Sequence, residues 1–294
     1  MPSRPLFDMS PPFLTLLVCT IGETDRLPRL AVSLSCQTRR DFELIVVDQS
    51  LPGRIDEFLS LLPEWLDVRV VRSARGLSRA RNVGLQHCRA DWVALPDDDA
   101  WYDDDLVERL AVLFSNHADY AVLTGVTRDE HGVLSNGAFL ERTAEINRGN
   151  VWSCGNSNGI FFRREAAEAV RGFDETLGVG SGTLFGAGEE TDFILRILAT
   201  GRKGRFLPDL VVRHDQVHAR QDAAHLLKAR LYAQGYGRLL RLHGYGVAYF
   251  AWRLLRNAAA ALLASVTGQP HEVRRRMIWL KGMTVGYAAP LPGS

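Results

Sequence analysis

The feature that most constrains this chain is a series of short apolar runs separated by segments with helical spacing. Residues 13–19, 42–48 and 92–96 are almost uniformly apolar, which is typical of strands buried on both faces of a parallel sheet. Between them, residues 27–37 and 77–88 repeat apolar side chains at the spacing of one helix face. The alternation predicts an α/β fold in which a mostly parallel sheet is flanked by helices.

Acidic residues follow two of the predicted strands directly. Asp48 ends one of them, and the acidic triplet 97–99 ends another. Ligands of open α/β sheets bind at the carboxyl ends of strands, so these acids are expected at one site. Adjacent carboxylates repel one another, and a divalent cation such as Mg²⁺ or Mn²⁺ offsets that repulsion with oxygen ligands. The triplet 97–99 therefore predicts a metal site, whereas a second triplet at 103–105 fits an acidic helix start.

The charge of the chain is divided between two regions. The 294 residues carry a net charge of +1, and 46% of them are hydrophobic, which predicts a substantial core. Residues 216–294 contain 11 Lys and Arg but 2 Asp and Glu, so the preceding part is acidic. We therefore expect an α/β domain over residues 1–215 and a basic helical module over residues 216–294.

The basic module is expected to form helices at 222–243, 246–266 and 271–286. Their mixture of Leu, aromatic residues and Arg is typical of helices that lie in a membrane interface and meet anionic headgroups. An apolar stripe also fits packing on the α/β domain or on a second subunit, and both interpretations remain open. The chain has no uncharged apolar run of about 18 residues that would predict a spanning helix, and no nucleic-acid recognition motif.

Five motifs, in order along residues 13–215, resemble those of family 2 nucleotide-sugar glycosyltransferases, which have the GT-A fold. They are SLSCQTRRDFELIVVDQS (33–50), GLSRARNVGL (76–85), ALPDDDAW (94–101), RGFDETL (171–177) and GEETDFILRI (188–197). The resemblance implies a GT-A-like domain that binds a nucleoside-diphosphate sugar together with Mn²⁺ or Mg²⁺. It further implies transfer of the sugar to an acceptor hydroxyl with inversion.

The resemblance also assigns roles to residues at the donor site. Asp48 is expected at the nucleotide base, Asp97 near the ribose with Asp98 beside the donor, and Asp99 on the metal. Arg81 matches an arginine of the family motif and is expected to contact the donor. A metal together with cationic side chains would neutralise the charge that develops on the leaving diphosphate.

Two further positions are candidates for the donor site. His214 follows the last predicted strand and matches a histidine that reaches the metal or the diphosphate in the family, although a surface histidine is the ordinary alternative. The segment TIGETDRL (20–27) departs from the family's motif after the first strand. Thr20 and Glu23 in that segment are expected to line the nucleotide pocket.

An inverting transfer needs a carboxylate that removes the proton of the acceptor hydroxyl. Glu190 matches the catalytic position of the family, which usually holds Asp, and Asp192 is the alternative base. Acids at a helix start are also favourable for the helix dipole alone. The glycine-rich segment 178–188 before this helix is expected to act as a lid.

The acceptor is expected to be a glycan or a lipid-linked sugar, in polysaccharide or glycolipid assembly. Trp152, Asn156 and Asn158 are candidates to contact it, although a buried Trp and turn-forming Asn residues fit the same segment. Two other functions remain open: a nucleotidyltransferase, for which 20–27 is a poor phosphate loop, and a non-catalytic sugar-nucleotide or membrane-binding protein. Four scattered cysteines predict reduced thiols in a cytoplasmic protein, peripheral on the inner face of the membrane if the module binds lipid.

Overall fold

The computed structural model describes residues 11–22, 25–216 and 222–291, and within these ranges strands and helices alternate as the apolar pattern predicts. The strands are β1 (Leu14–Thr20), β2 (Phe42–Asp48), β3 (Asp67–Arg72), β4 (Trp92–Ala94), β5 (Ala100–Trp101), β6 (Tyr120–Arg128), β7 (Ala144–Glu145), β8 (Ile160–Arg163) and β9 (Lys203–His214). The helices are α1 (Leu27–Ser35), α2 (Asp56–Leu61), α3 (Leu77–Leu85), α4 (Leu106–Asn116), α5 (Arg164–Ala169), α6 (Glu189–Ala199), α7 (Ala223–Leu242), α8 (Val247–Val266) and α9 (Pro270–Ala288).

These strands form one sheet in the order β3-β2-β1-β4-β8-β6-β9-β5, with β7 paired to β9. Neighbours among β3, β2, β1 and β4 are parallel, as are β6 and β9. In contrast, β8 is antiparallel to both β4 and β6, and β5 and β7 are antiparallel to β9. The expected α/β architecture is confirmed, but the sheet is mixed: β8 runs back from the carboxyl edge, where the short 3₁₀ turn Ser157–Gly159 precedes it.

Strand β2 shows why the apolar runs lack alternation. Leu44 and Val46 pack into the hydrophobic layer on one face of the sheet, and Ile45 and Val47 pack into the layer on the other. All four are buried because helices cover both faces. Removing this apolar area from water is the main force that holds the sheet and its helices together.

The parallel register brings the predicted acids to one edge. Thr20 at the end of β1 lies opposite Asp48 at the end of β2, and Cys19 forms an isolated parallel bridge to Asp97. The acidic triplet 97–99 therefore follows β4 at the same edge where β1 and β2 end. This confirms that the two acidic strand ends are neighbours in space.

The C-terminal helices pack tightly on one another and on the rest of the chain. A Cβ at Gly237 would lie 2.1 Å from the carbonyl oxygen of Met283, so α7 and α9 touch through backbone. A Cβ at Gly235 would lie 2.2 Å from the carbonyl oxygen of Ala187, which precedes α6. Helix α7 is thus held between α9 and the α/β part of the molecule, as the packing interpretation expects.

Two other expectations concern the whole chain. No helix in the described ranges has both the length and the hydropathy to cross a membrane. All four cysteines are free; Cys88 and Cys154 are buried and Cys19 is half-buried, whereas Cys36 is exposed. The exposed thiol, Cys36, sits just beyond the end of α1.

Candidate functional site

A cleft of about 850 Å³ opens at the carboxyl edge of the sheet. The acidic triplet 97–99 lines it, as does the segment 186–191, which leads into α6. Lys228 and Tyr232 of α7 also line the cleft, so the C-terminal helices contribute part of its wall. A cleft with converging charged groups at the carboxyl ends of strands is the expected binding site in a sheet of this type.

Asp97 and Asp98 are each held by hydrogen bonds from behind the cleft. Asp97 accepts from the Ser157 hydroxyl at 3.0 Å and from the Asn158 amide at 2.9 Å, and burial raises the pKa of its carboxyl. Asp98 accepts from the Thr20 hydroxyl at 2.5 Å, and burial raises the pKa of Asp98 to about 6. Thr20 and Asn158 are buried supports of these two acids and do not line the cleft.

Asp99 lies next to His214, the last residue of β9. The carboxylate lies 3.2 Å from Nε2 of His214 and 3.5 Å from the guanidinium of Arg26. Burial opposes ionisation of Asp99, yet the hydrogen bond from His214 and the nearby positive charges lower its pKa. Burial alone would lower the pKa of His214, but the hydrogen bond to Asp99, the charge of Asp99 and the contact with the Asp215 carbonyl together raise that pKa.

Asp99 and His214 together offer one oxygen and one nitrogen donor to a cation. The Nδ1 atom of His214 lies 2.6 Å from the carbonyl oxygen of Asp215, an acceptor, so the proton of neutral imidazole belongs on Nδ1 and leaves Nε2 as a metal donor. No group of three or more His, Cys, Asp or Glu suited to a metal ion occurs in the described residues. The pair still fits Mg²⁺ or Mn²⁺, because these ions commonly take few protein ligands and complete their shell with phosphate oxygens and water.

Arg81 lies beneath the cleft and connects its two acidic groups. It is 1% exposed, and its Nη1 atom lies 3.5 Å from a carboxylate oxygen of Glu189 and 3.6 Å from one of Glu190. Its Nη2 atom is 3.9 Å from Asp97 and has no hydrogen-bond partner among the described residues. Arg81 therefore neutralises buried carboxylates in this structure and does not line the cleft.

Glu189 and Glu190 begin α6 but lie in different surroundings. Glu189 is buried, and burial together with the neighbouring Glu190 raises its pKa well above the usual range. Both side chains line the cleft, but that of Glu190 is partly open to solvent. Burial and the neighbouring Glu190 thus favour the uncharged form of Glu189.

Asp192, the alternative base, points away from the cleft. Its carboxylate accepts from Arg196 at 2.7 Å and lies 2.9 Å from Nε2 of His243, beyond the end of α7. Asp192 is 3% exposed and is not among the residues that line the cleft. Of the two candidate bases, the structure brings Glu190 alone to the acidic triplet.

Asp48 is close to the cleft but does not line it. Its carboxylate accepts from the backbone N–H and the hydroxyl of Ser50, at 2.8 and 2.6 Å, and forms an ion pair with Arg72. The next residue, Gln49, lines the cleft instead. The predicted contact between Asp48 and a nucleotide base stays a prediction, and Glu23 lies outside the described residues.

The candidate acceptor residues separate in the structure. Asn156 lines the cleft, and its amide donates to the Thr127 hydroxyl and the carbonyl oxygen of Asn136, both at 3.0 Å. Trp152 packs against Tyr236 of α7 with ring centroids 4.6 Å apart, so it joins the hydrophobic core. A packed Trp was the alternative interpretation of that segment, and it describes the observed position.

Sequence reasoning missed the contribution of α7. Lys228 and Tyr232 are four residues apart, so they share a helix face, and the Lys228 ammonium lies 5.3 Å from the Tyr232 ring centroid. The i,i+4 spacing was visible in the sequence. Which face of α7 meets the cleft depends on long-range packing, however, and no local pattern indicates it.

Proteins of known structure and sequence resemble this chain in fold and in family. A mannosyltransferase from Pyrobaculum calidifontis, solved with GDP-mannose and Mn²⁺, has a similar fold, with a TM-score of 0.64 and 20% sequence identity over 95% of this chain and 88% of that one. The architecture is therefore of the GT-A type. The family model for glycosyl transferase family 2 matches residues 15–170, more than half of the chain.

The chain belongs to glycosyl transferase family 2. The succinoglycan biosynthesis protein ExoM of Rhizobium meliloti is 27% identical over 284 residues, which are 90% of this chain and 88% of ExoM. The pre-mycofactocin glycosyltransferase of Mycobacterium tuberculosis is 27% identical over 214 residues, 68% of this chain. The match covers 42% of that mycobacterial protein, so this chain spans less than half of its length.

The raised pKa of Asp98 predicts a pH-dependent gain in stability from Asp98→Asn in metal-free protein. Because burial raises this pKa from 3.8 to about 6, the unfolding free energy falls as pH rises through that window. Asparagine removes the loss, so the variant should be more stable by roughly 1–3 kcal/mol near neutral pH and equal to wild type below the unfolded pKa. Urea denaturation at several pH values measures this.

Asp104→Asn is the matched control, because Asp104 is exposed in the neighbouring acidic triplet. Its unfolding free energy should change little at any pH. If Asp98→Asn lowered the unfolding free energy near neutral pH, ionised Asp98 would not be destabilising the folded state.

Proposed function

We propose that this chain is an inverting, metal-dependent glycosyltransferase. It moves a sugar from a nucleoside-diphosphate sugar to a hydroxyl of a glycan or lipid-linked acceptor, in polysaccharide or glycolipid assembly. The observation that carries the proposal is the single cleft that contains both the acidic triplet 97–99 and Glu190. GDP-mannose and Mn²⁺ in the structurally similar mannosyltransferase support the donor class, and the likeness to ExoM supports a role in polysaccharide assembly.

The donor diphosphate would bind at the triplet. Asp99 and His214 would hold Mn²⁺ or Mg²⁺ there, and the bound cation would neutralise charge that develops on the leaving nucleoside diphosphate. Lys228 and Arg75 also line the cleft and add positive charge that stabilises the same leaving group. Asp97, fixed by its hydrogen bonds to buried neighbours, would orient the donor nucleotide without needing to move.

The acceptor hydroxyl would be activated by Glu190. Its carboxylate opens into the cleft and can accept the hydroxyl proton as the oxygen attacks the anomeric carbon. Arg81 contacts Glu190 from behind at 3.6 Å, and burial together with Glu190 raises the pKa of the neighbouring Glu189. We assign Arg81 a positioning role through Glu190 and Asp97.

The base is tested by Glu190→Gln, which keeps the shape of the side chain and removes its basicity. We expect kcat to fall by roughly 10² to 10⁴-fold while donor affinity stays nearly unchanged. Asp192→Asn is the control: it should retain kcat but lose roughly 1.5–3 kcal/mol of stability, because it weakens the buried link to Arg196 and His243. An inactive Asp192→Asn beside an active Glu190→Gln would assign the base to Asp192.

The metal site is tested by Asp99→Asn, measured by calorimetric titration of UDP and GDP with and without Mn²⁺. Loss of a ligand should weaken Mn²⁺-supported nucleotide binding by about tenfold or more, while nucleotide binding without Mn²⁺ should change much less. Asp104→Asn should bind as wild type does. Equal Mn²⁺-supported binding by Asp99→Asn would remove Asp99 from the metal site.

Product analysis distinguishes the proposal from the two other functions. A glycosyltransferase given a labelled nucleotide sugar and an acceptor releases a nucleoside diphosphate. A nucleotidyltransferase would instead release pyrophosphate from a nucleoside triphosphate. A non-catalytic sugar-nucleotide binder would bind the donor with no turnover of the label.

We further propose that the C-terminal module lies against an anionic membrane surface. Trp252, Leu255, Leu262 and Val266 form one stripe along α8 by their helical spacing, and each is between 46% and 74% exposed. Arg256 borders the stripe, with its guanidinium 4.9 Å from the Trp252 ring centroid. An exposed apolar stripe bordered by arginine fits the acyl and headgroup layers of a membrane interface.

Leu262→Glu tests the membrane contact, because it places a negative charge in the centre of the stripe. Sedimentation with anionic vesicles should decrease at least about tenfold, and added salt should weaken wild-type binding through screening. Val112→Glu is the matched control, since Val112 is 59% exposed on α4, outside the module. Equal vesicle binding by both variants would exclude the α8 stripe as the membrane contact.

A further inference from the structure

A second concave site lies within the C-terminal module. Helices α7, α8 and α9 border a groove of about 840 Å³, a volume in the range that holds small ligands. Leu254 and Ala258 of α8 and Ile278 and Val285 of α9 give it mainly apolar walls. The groove is distinct from the catalytic cleft, because its residues come from other helix faces.

One polar side chain in this groove has no partner. Gln234 of α7 lines the groove and is 1% exposed, yet neither its amide oxygen nor its amide nitrogen forms a hydrogen bond within the described residues. Buried amides in native proteins are almost always hydrogen-bonded, so this one indicates a missing polar partner. The χ3 torsion of a glutamine has a broad distribution. Its rotation allows the amide to form a hydrogen bond with a polar group that enters the groove.

The charge at the groove is positive. Arg230 of α7 and Lys281 of α9 both line it and are both exposed. Of the two acids of residues 216–294, Glu272 forms ion pairs with Arg275 and Arg276, and Asp222 caps α7 and contacts His225. An anion at Arg230 and Lys281 would therefore meet uncompensated positive charge.

The groove is continuous with the proposed membrane contact. Leu255 belongs to the exposed stripe of α8 and also lines the groove. The groove and the stripe thus share an exposed apolar side chain. This continuity favours an amphiphile over a free anion.

We propose that this groove binds a single anionic phospholipid, with an acyl chain between α7, α8 and α9 and its phosphate on Arg230 and Lys281. Gln234 would donate to a lipid ester oxygen, which is the polar group nearest the start of the chain. The proposal rests on the proposed membrane contact for the source of the lipid. The binding site itself requires the groove alone, so the two can fail separately.

The test is calorimetric titration of the full chain with dihexanoyl phosphatidic acid below its micellar concentration, where no membrane surface is present. Ala258→Phe fills the groove and should weaken binding about tenfold or more. Ala259→Phe is the matched control, because Ala259 is exposed on the same helix but does not line the groove. Its affinity should stay within about twofold of wild type.

Two further ligands and one variant test the parts of the site. Inorganic phosphate and dihexanoylglycerol should each bind at least about tenfold more weakly than the phosphatidic acid, because each lacks one half of the amphiphile. Gln234→Leu keeps the volume and should weaken binding of the lipid. Unchanged lipid affinity in that variant would overturn the role of the amide.

The groove proposal is overturned if Ala258→Phe binds the lipid as Ala259→Phe does, or if dihexanoylglycerol binds as tightly as the phosphatidic acid. Transfer to a soluble acceptor provides the independent readout. Gln234 is two residues, about 200° around the helix, from Tyr232 in the catalytic cleft. Ala258 of α8 does not line the catalytic cleft, so Ala258→Phe should retain transferase activity. A chain with no transferase activity that still binds the lipid would separate this proposal from the catalytic one.

Discussion

The catalytic edge of this protein depends on one buried guanidinium. Arg81 reaches the acidic strand end through Asp97 and the start of α6 through Glu189 and Glu190. Without a positive charge between them, carboxylates from two distant parts of the chain would repel one another at a poorly hydrated site. Helix α3, which carries Arg81, therefore organises the cleft from below while leaving the cleft surface to the acids.

The sequence pattern predicted the features of the fold that depend on short segments of the chain. The uniform apolar run of β2 identified a strand covered on both faces, and the predicted bounds 42–48 are those observed. The acids at the ends of β2 and β4 lie at one edge, on either side of the end of β1, because these parallel strands share a direction. The direction of β8 was missed, since antiparallel entry into the sheet depends on where the preceding segment crosses it and not on composition.

Which side chains of α6 face the cleft depends on contacts that are distant in sequence. Glu190 and Asp192 are two residues apart, so one faces the cleft when the other faces the core, but the sequence does not tell which. The answer came from His243, more than fifty residues away, which holds Asp192 inside. The surroundings of Asp48 and Trp152 likewise depend on tertiary contacts, with Arg72 and Tyr236 respectively, that no local pattern indicates.

The close approach of Gly235 to Ala187 affects which segments could be recombined between proteins of this architecture. Helix α7 supplies Lys228 and Tyr232 to the cleft and touches, at its glycine, the backbone that leads into Glu190. Recombination at the junction after β9 would therefore exchange helices that form part of the cleft. It would replace one wall of the cleft and the backbone contact beside the start of α6, so the terminal helices and the sheet must be inherited as a matched pair.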